Sequence, residues 1–334
     1  MIGRVVKIGF IGAGSIGSLF GGYIASVHSN KSPLEVIFFG RRDHALAINR
    51  DGLRLSAGDK DIYLKNIRVF ESVDAFTGSS DIGGSYKFDY LFLTTKAYDT
   101  ERAMVQFKSV IDSAGWLIIL QNGVGNEALV KNYCDEDKIL RVVTSHGALL
   151  EDPGHVCHTG IGFTKIGFAY LKRNDSNVEA YGRAEETLLY LKNLLSAGGL
   201  ATDIVADIIK CSWEKVFVNI GINAIGALTG LENGQLLENN SLRKLMEKAV
   251  IEALVVSKAL KINLSGVDYV DLMYSVAKKT SNNKNSMLQD ILKRKPTEID
   301  FINGRIVEFG KKLGIEVVLN ELLTVLIKGL ESSF

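Results

Sequence analysis

Residues 7–17 read KIGFIGAGSIG, an apolar strand followed by a glycine-rich turn and the start of a helix. Gly12, Gly14 and Gly17 have the G-x-G-x-x-G spacing of dinucleotide-binding turns. The first glycine permits the tight turn, the second lets the backbone approach a pyrophosphate, and the third lets the helix pack on the strand. The helix N-terminus adds free N–H groups and partial positive charge. We therefore predict that Gly12-Ala13-Gly14-Ser15-Ile16-Gly17 binds a dinucleotide cofactor.

The second strand decides which dinucleotide is expected. Residues 34–39 (LEVIFF) are followed by Gly40-Arg41-Arg42. A fold that prefers NAD usually has Asp or Glu at this strand end, where the carboxylate holds the ribose 2′-hydroxyl. Arginine instead offers fixed positive charge and paired N–H donors to a 2′-phosphate. We predict NADP(H), with Arg41 as the phosphate ligand, and Arg42 either stacks on the adenine or is solvated.

Composition argues against several other classes of protein. The chain has 334 residues, with 39 Lys and Arg against 38 Asp and Glu, so we expect neither a nucleic acid nor an anionic membrane as partner. Its three cysteines are widely spaced, and we predict no disulfide framework and no metal site. No apolar run approaches the ~18 residues of a membrane span, and the N-terminus lacks the pattern of a signal peptide. We expect a cytoplasmic enzyme.

The pattern along the chain predicts two domains. Over residues 1–206, short apolar runs alternate with helical segments, which is typical of a Rossmann-type, doubly wound α/β sheet. Residues 52–69 alternate and are expected to form a hairpin or an irregular strand pair. Residues 207–334 are expected to form an all-helical substrate and catalytic domain. Its predicted helices cover residues 210–228, 242–260, 267–279, 286–293, 298–313 and 319–329.

Two strand ends carry polar side chains where an open α/β sheet binds ligands. Lys96 follows an apolar strand and can reach a cofactor phosphate or the substrate. Asn122 follows the strand at 116–120 and precedes Gly123-Val124-Gly125, which would place its amide beside a nicotinamide or a substrate carbonyl. Asn and Gly also occur in ordinary turns for backbone reasons, so a purely structural role for Asn122 is equally open.

Lys215, Asn219 and Asn223 are spaced four residues apart in an apolar segment. On a helix they form one polar stripe, because each step of four residues turns only about 40° past a full circle. A buried amide without a partner costs roughly 1–3 kcal/mol, so these groups need polar partners. An anionic or carbonyl-bearing substrate is one such partner, and a hydrogen-bond network between helices is the other.

The C-terminal part holds a further polar constellation that local structure alone explains. Ser286 with Gln289 has the spacing of a capping box. Glu298 fits a first-turn acid that the helix dipole favours, with Thr297 as the cap. Taken locally, these residues predict helix starts and no chemistry.

Together, these segments resemble the ketopantoate reductase (2-dehydropantoate 2-reductase) family over nearly the whole chain. Residues 286–290 and 297–304 are the more specific of the matching segments, since a glycine turn alone occurs in many enzymes. Ala224-Ile225-Gly226 replaces a frequent proline-containing turn, so the helix is expected to continue, and loops near residues 74–86 and 172–179 are longer than usual. The matching segments are residues 12–17, Arg41, 95–97, 121–125, 213–215 with Asn219 and Asn223, 233–234, 286–290 and 297–304.

The resemblance implies NADPH-dependent reduction of ketopantoate to pantoate, a step towards pantothenate and coenzyme A. It implies that Lys215 is the catalytic lysine and that Glu298 lies in the substrate site. Lys96 matches a lysine near the cofactor and substrate. Residues that match substrate or nicotinamide ligands are Asn122, Asn219, Asn223 and Ser286, with Asn233 and Asn283 at further polar positions of the cleft.

The residue types suit this reaction. An ammonium at Lys215 would stabilise the negative charge that develops on the ketone oxygen and would donate the proton. Glu298 would accept a hydrogen bond from a substrate hydroxyl. Two other interpretations remain: an NADP-linked reductase of another 2-oxo acid or an opine-type dehydrogenase, and a non-catalytic NADP(H)-sensing regulator. We expect a monomer or a homodimer.

Overall fold

A computed structural model describes residues 4–28, 33–80, 82, 86–171 and 178–334, so part of each longer loop lies outside the described residues. Contacts between residues divide the chain into two units. The first unit comprises residues 1–121 and 126–208, and the second comprises 122–125 and 209–334. Residues 122–125 therefore belong by their contacts to the second unit, although the sequence analysis includes them in the segment 1–206.

The first unit contains an eight-stranded sheet whose central strands are parallel. Strand β1 (Val6–Ile11) lies between β2 (Leu34–Phe39) and β6 (Tyr90–Leu93) and pairs in parallel with both. These strands are almost wholly apolar because helices cover both faces of a parallel sheet. The strand order is β12 (Thr202–Ile204), β11 (Thr164–Phe168), β8 (Ile139–Thr144), β7 (Trp116–Ile119), β6, β1, β2 and β5 (Ile67–Phe70), with β8 and β11 antiparallel. The predicted doubly wound α/β sheet is confirmed.

A second sheet of four strands, in the order β4-β3-β10-β9, also belongs to the first unit. Strands β3 (Leu53–Ala57) and β4 (Lys60–Leu64) form an antiparallel pair, which confirms the expected hairpin. Strands β9 (Gly147–Asp152) and β10 (His155–Gly160) were not predicted from the sequence. Their register shifts twice along the pair, and this irregularity disguises the period-2 alternation on which a strand prediction depends.

The other elements of this unit complete the strand-helix alternation. Helix α1 starts directly after the glycine turn and carries buried Leu19, Phe20 and Ile24 into the core. The remaining elements are α1 (Ser15–Ser26), α2 (Arg42–Asp51), β5 (Ile67–Phe70), α3 (Val73–Thr77), α4 (Thr100–Gln106), α5 (Lys108–Ser113), β7 (Trp116–Ile119), α6 (Asn126–Val130), β8 (Ile139–Thr144), β11 (Thr164–Phe168), α7 (Val178–Ala197) and β12 (Thr202–Ile204).

The second unit is helical around α8 (Ile208–Thr229), which confirms the predicted fold class. Helix α8 is continuous past Ala224-Ile225-Gly226, as expected, and buries Trp213 and Phe217. The other helices are α9 (Asn233–Glu238), α10 (Asn240–Ala259), α11 (Tyr269–Lys279), α12 (Ser286–Leu292), α13 (Asn303–Leu313) and α14 (Val318–Glu331). Within the described residues, no helix is both long and apolar enough to cross a membrane.

Two local predictions in this unit were wrong. Residues 298–313 do not form one helix: a short 3₁₀ turn at Ile299–Phe301 comes first, and α13 starts only after Ile302, whose backbone is not helical (φ −112°, ψ −93°). The capping residue of α12 is Asn285 and not Ser286, because Asn285 Oδ1 accepts the N–H of Leu288 at 3.0 Å. Both asparagine and serine are good cap residues, so the sequence Asn285-Ser286 does not distinguish them.

Candidate active site

Three polar side chains from separate parts of the second unit form a hydrogen-bonded chain. The Lys215 ammonium on α8 donates to Asn122 Oδ1 at 2.7 Å. The same amide donates through Nδ2 to Glu298 Oε2 at 3.1 Å. Glu298 is buried, whereas Lys215 and Asn122 are half-buried. A neutral amide therefore joins a cationic and an anionic group, each of which was singled out in the sequence.

Asn122 is held in place by the two glycines that follow it. Gly123 has φ +89°, and a Cβ atom there would lie 2.3 Å from the carbonyl oxygen of Phe301. The N–H of Val124 donates to that same oxygen at 3.3 Å. This close backbone contact joins residues 122–125 to the 3₁₀ turn that begins just after Glu298. The approach of two backbones thus explains Gly123, whereas Gly125 is explained by its φ of +82°.

Asn219 and Asn223 follow Lys215 on α8 at intervals of four residues, so the helix places them on one side. Asn223 is only 4% exposed, and its Nδ2 has no hydrogen-bond partner in the part of the chain that the structure describes. An unpartnered buried donor of this kind calls for an explanation, because most buried polar groups are paired. A polar ligand beside α8 is one.

Asn233 and Asn285 are two more buried asparagines of this unit. Asn233 Nδ2 donates to Thr280 Oγ1 at 2.9 Å, and its Oδ1 has no partner among the described residues. Asn285 Nδ2 also lacks one there, and this side chain packs against α8 at Gly226, where an added Cβ would lie 2.2 Å from Nδ2. Sequence reasoning missed Asn285, because its neighbour Ser286 fits the capping pattern equally well.

Two predicted substrate ligands lie on the segment that leads into α12. Asn283 and Ser286 are both exposed. The backbone carbonyl of Asn283 accepts the N–H of Asn233 at 3.0 Å, which ties this segment to the start of α9. Contact between the Asn283 or Ser286 side chain and a substrate stays a prediction.

The first unit carries the predicted cofactor residues, and its glycine turn has the shape of a phosphate cradle. Gly12 has φ +104°, and a Cβ at Gly17 would lie 2.3 Å from the Gly12 carbonyl oxygen, so both positions require glycine. A Cβ at Gly14, in contrast, would meet no atom within 4 Å. Helix α1 begins at Ser15 without a side-chain cap, because its capping residue is Gly14, and the Ser15 hydroxyl accepts the N–H of Leu150 at 3.0 Å. Open space before an uncapped helix N-terminus fits a pyrophosphate.

Arg41 and Lys96 follow strands that pair with β1 in parallel, so both lie at the same sheet edge as the glycine turn. Arg41 precedes α2 and is exposed, as is Arg42. Lys96 is half-buried and precedes a 3₁₀ turn at Ala97–Asp99. No carboxylate occupies positions 40–42; the first acid is Asp43, inside α2.

Comparison with known proteins finds similarity over nearly the whole length of this chain. A sequence model of the family described as Ketopantoate reductase PanE/ApbA matches residues 8–170, and one described as Ketopantoate reductase PanE/ApbA C terminal matches residues 207–331. A 2-dehydropantoate 2-reductase from Pyrococcus horikoshii is 35% identical over 329 residues, which cover 98% of each chain.

Solved structures share the fold. The crystal structure of a PanE/ApbA family ketopantoate reductase from Ralstonia eutropha JMP134 has a TM-score of 0.82 at 26% identity, covering 98% of this chain and 99% of that one. The ternary structure of D-mandelate dehydrogenase with NADH and anilino(oxo)acetate matches with the same TM-score, identity and coverage.

Proposed function

Because this chain belongs to the ketopantoate reductase family, we propose that it reduces 2-dehydropantoate (ketopantoate) to pantoate with NADPH as the reductant. The observation that carries the proposal is the hydrogen-bonded chain of Lys215, Asn122 and Glu298. NADPH supplies the hydride for the ketone carbon. The reaction belongs to the route to pantothenate and coenzyme A and takes place in the cytoplasm, in a monomer or homodimer.

Lys215 is the proton donor. When hydride reaches the ketone carbon, negative charge develops on the ketone oxygen, and an ammonium beside it stabilises this charge and then donates the proton. Asn122 supports this role because its amide oxygen, 2.7 Å from Nζ, fixes the direction of the lysine side chain. A neutral partner orients the ammonium without neutralising it.

Glu298 selects the substrate. A buried carboxylate accepts a hydrogen bond from the 4-hydroxyl group of ketopantoate, which simple 2-oxo acids lack. Asn122 Nδ2 holds this carboxylate in position. The substrate carboxylate binds to neutral donors that leave the lysine charge undiminished. These donors are Asn219, Asn223 and Ser286, with Asn233 and Asn283 at the periphery, and the unpartnered Nδ2 of Asn223 supports this arrangement.

The cofactor binds to the glycine turn and to polar residues that follow the neighbouring strands. The backbone of residues 12–17 receives the pyrophosphate, and Arg41 binds the 2′-phosphate that distinguishes NADPH from NADH. Lys96 binds a cofactor phosphate or the substrate, and Asn122 contacts the nicotinamide end of the cofactor. The open space at Gly14 supports the fit of the phosphates.

The first test is a rate measurement with paired cofactors and substrates. NADPH oxidation is followed with ketopantoate, pyruvate and 2-oxoisovalerate, and each reaction is repeated with NADH. Rapid turnover only with NADPH and ketopantoate is the expected result. Rapid turnover with a different 2-oxo acid would reject ketopantoate as the substrate, and NADPH binding without turnover of any oxo acid would favour a regulator.

A reductase of another 2-oxo acid is the second candidate. The similarity to D-mandelate dehydrogenase, whose structure contains NADH and anilino(oxo)acetate, favours it. This candidate predicts that a substrate without a 4-hydroxyl group is turned over fastest. The same panel of substrates therefore distinguishes the two candidates.

A further inference from the structure

The outer face of the four-stranded sheet in the first unit carries a cluster of metal-binding side chains. His155 and Cys157 are two residues apart on β10, so their side chains leave the same face of the strand. Glu151, near the end of the neighbouring strand β9, reaches both of them. Ser56 on β3 stands opposite Cys157 in the parallel register. We call Glu151, His155 and Cys157 the outer-sheet cluster.

The three donor atoms of this cluster converge. Cys157 Sγ lies 2.9 Å from Glu151 Oε2 and 3.5 Å from His155 Nε2. His155 Nδ1 lies 3.3 Å from the same Glu151 oxygen. One ligand atom from each residue lies within 4.8 Å of the other two. Such convergence of a thiol, an imidazole and a carboxylate is the donor set of a transition-metal site.

The separation of the sulfur and nitrogen donors matches tetrahedral zinc. With Zn–S of about 2.3 Å and Zn–N of about 2.0–2.1 Å, the sulfur and nitrogen of a tetrahedral site lie about 3.5 Å apart. The Cys157 Sγ to His155 Nε2 distance is 3.5 Å. The 2.9 Å contact between Glu151 Oε2 and Sγ is shorter than zinc requires, so the carboxylate must rotate away from the sulfur, and the 52% exposed Glu151 side chain is free of the packing that would prevent this.

We propose that the outer-sheet cluster binds one Zn²⁺ ion through Cys157 Sγ, His155 Nε2 and a Glu151 carboxylate oxygen, with water as the fourth ligand. A thiolate and a carboxylate together balance the charge of the ion. Ser56 Oγ lies 2.5 Å from His155 Nε2, so this hydroxyl must move aside for the ion to reach the lone pair of that nitrogen. Arg54 on the same face is paired with Asp61 at 2.6 Å, so its positive charge is offset.

This site is separate from the proposed chemistry. The outer-sheet cluster belongs to the first unit, whereas Lys215, Asn122 and Glu298 belong to the second. It also differs from the phosphate cradle, since Cys157 and His155 lie on β10 of the second sheet and not on the sheet that carries the glycine turn. Zinc binding here therefore does not depend on the proposed reaction.

The test is metal binding by the full chain after reduction of its thiols and removal of metal with a chelator. Titration with Co²⁺ is expected to give thiolate-to-metal charge-transfer absorption at one ion per chain, and Zn²⁺ is expected to abolish this absorption by displacement. Cys157→Ser should remove the absorption and weaken Zn²⁺ binding by more than about 100-fold, beyond the 10–100-fold effect of losing an outer partner. His155→Asn and Glu151→Gln should each weaken it by at least about tenfold.

Cys134→Ser is the matched control, because Cys134 is also half-buried and lies outside the outer-sheet cluster. It should bind Co²⁺ and Zn²⁺ as the unchanged protein does. Circular dichroism verifies the fold of every variant. If Cys157→Ser does not fold, the Zn²⁺ affinities of the folded His155→Asn and Glu151→Gln variants test the proposal. Equal Zn²⁺ affinity in these variants and in the unchanged protein, or Co²⁺ binding without thiolate absorption, would overturn the proposal.

Discussion

Lys215 and Asn122 lie 93 positions apart in the chain, yet Nζ of the lysine donates a hydrogen bond to the amide oxygen of the asparagine at 2.7 Å. The turn after β7 and the second turn of α8 must therefore fold together before this contact exists. The arrangement fixes an ammonium beside a neutral acceptor and, through the same amide, beside a buried carboxylate. Lys215, Asn122 and Glu298 can each be substituted separately.

Lys215→Ala should lower kcat/KM for ketopantoate by about 10²–10³, because one electrostatic donor to the transition state contributes about 2.7–4 kcal/mol. Initial rates at several substrate concentrations measure the loss. Lys244→Ala is the control, since Lys244 is exposed on α10. A folded Lys215→Ala protein that retained most of its kcat/KM would exclude Lys215 as the proton donor.

Glu298→Gln should reduce discrimination between substrates. A hydrogen bond to a charged group contributes about 1.5–3 kcal/mol, so kcat/KM for ketopantoate should fall about 10–150-fold. The value for 2-oxoisovalerate, which lacks the hydroxyl group, should change little. Both values are measured on the same preparation, with Glu185→Gln on the exposed face of α7 as the control. An equal loss for both substrates would show that Glu298 does not recognise the hydroxyl group.

Arg41→Ala should raise KM for NADPH about tenfold or more, because it removes charge-assisted hydrogen bonds to the 2′-phosphate. KM for NADH should stay nearly constant, so the ratio of the two values reports recognition of the phosphate alone. Arg42→Ala gives the comparison for the adjacent exposed arginine. If Arg42→Ala had the larger effect, the phosphate ligand would be Arg42.

The sequence predicts the backbone of this protein better than it predicts the partners of its side chains. Residues 7–17 and 34–39 predict the parallel sheet because buried strands are continuous apolar runs. Lys215, Asn219 and Asn223 fall on one helix because their spacing is a local property. The hydrogen bonds by which Asn122 joins Lys215 to Glu298 depend on how distant segments pack, so no spacing along the chain predicts them.

Two further outcomes show where local reasoning stops. Asn285 takes the cap of α12 in place of Ser286 because its side chain also packs against α8 at Gly226, a tertiary contact. The sequence does not predict the outer-sheet cluster, because β9 and β10 have an irregular register and Glu151 and His155 therefore do not show a regular strand pattern. In both cases the deciding contact joins elements that the local pattern treats as independent.

Gly14→Ala and Gly17→Ala should separate binding from stability. A Cβ at Gly17 would lie 2.3 Å from the Gly12 carbonyl oxygen, so Gly17→Ala should lower the free energy of unfolding by about 1–3 kcal/mol. A Cβ at Gly14 meets no protein atom within 4 Å, and the backbone there (φ −89°) suits alanine, so Gly14→Ala should remain stable. It should nevertheless bind NADPH more weakly, because the methyl group enters the space left for the pyrophosphate.

Urea unfolding and NADPH fluorescence titration measure the two effects on the same samples. Unchanged NADPH affinity in Gly14→Ala would mean that the phosphates do not bind at this turn. Unchanged stability in Gly17→Ala would mean that the start of α1 can move away from Gly12 at little cost.

His44 makes the stability of the first unit depend on pH. Burial lowers the pKa of His44 to about 4. Its Nδ1 accepts the N–H of Gly154 at 2.9 Å, so the neutral ring donates through Nε2 to Ser18 Oγ at 3.0 Å. Protonation would place a second donor against the Gly154 N–H. The folded state therefore binds fewer protons than the unfolded state, in which histidine titrates near 6.5, and stability falls as the pH is lowered from about 6.5 towards 4.

Urea unfolding at pH 7.5 and at pH 5 should show this loss, and His44→Gln should make the dependence on pH weaker, because glutamine keeps a donor and an acceptor but does not titrate. His28→Gln serves as the comparison, since His28 is exposed near the end of α1. If His44→Gln lost as much stability between these two pH values as the unchanged protein, other groups would be responsible for the acid sensitivity, and the buried His44 ring would not be its cause.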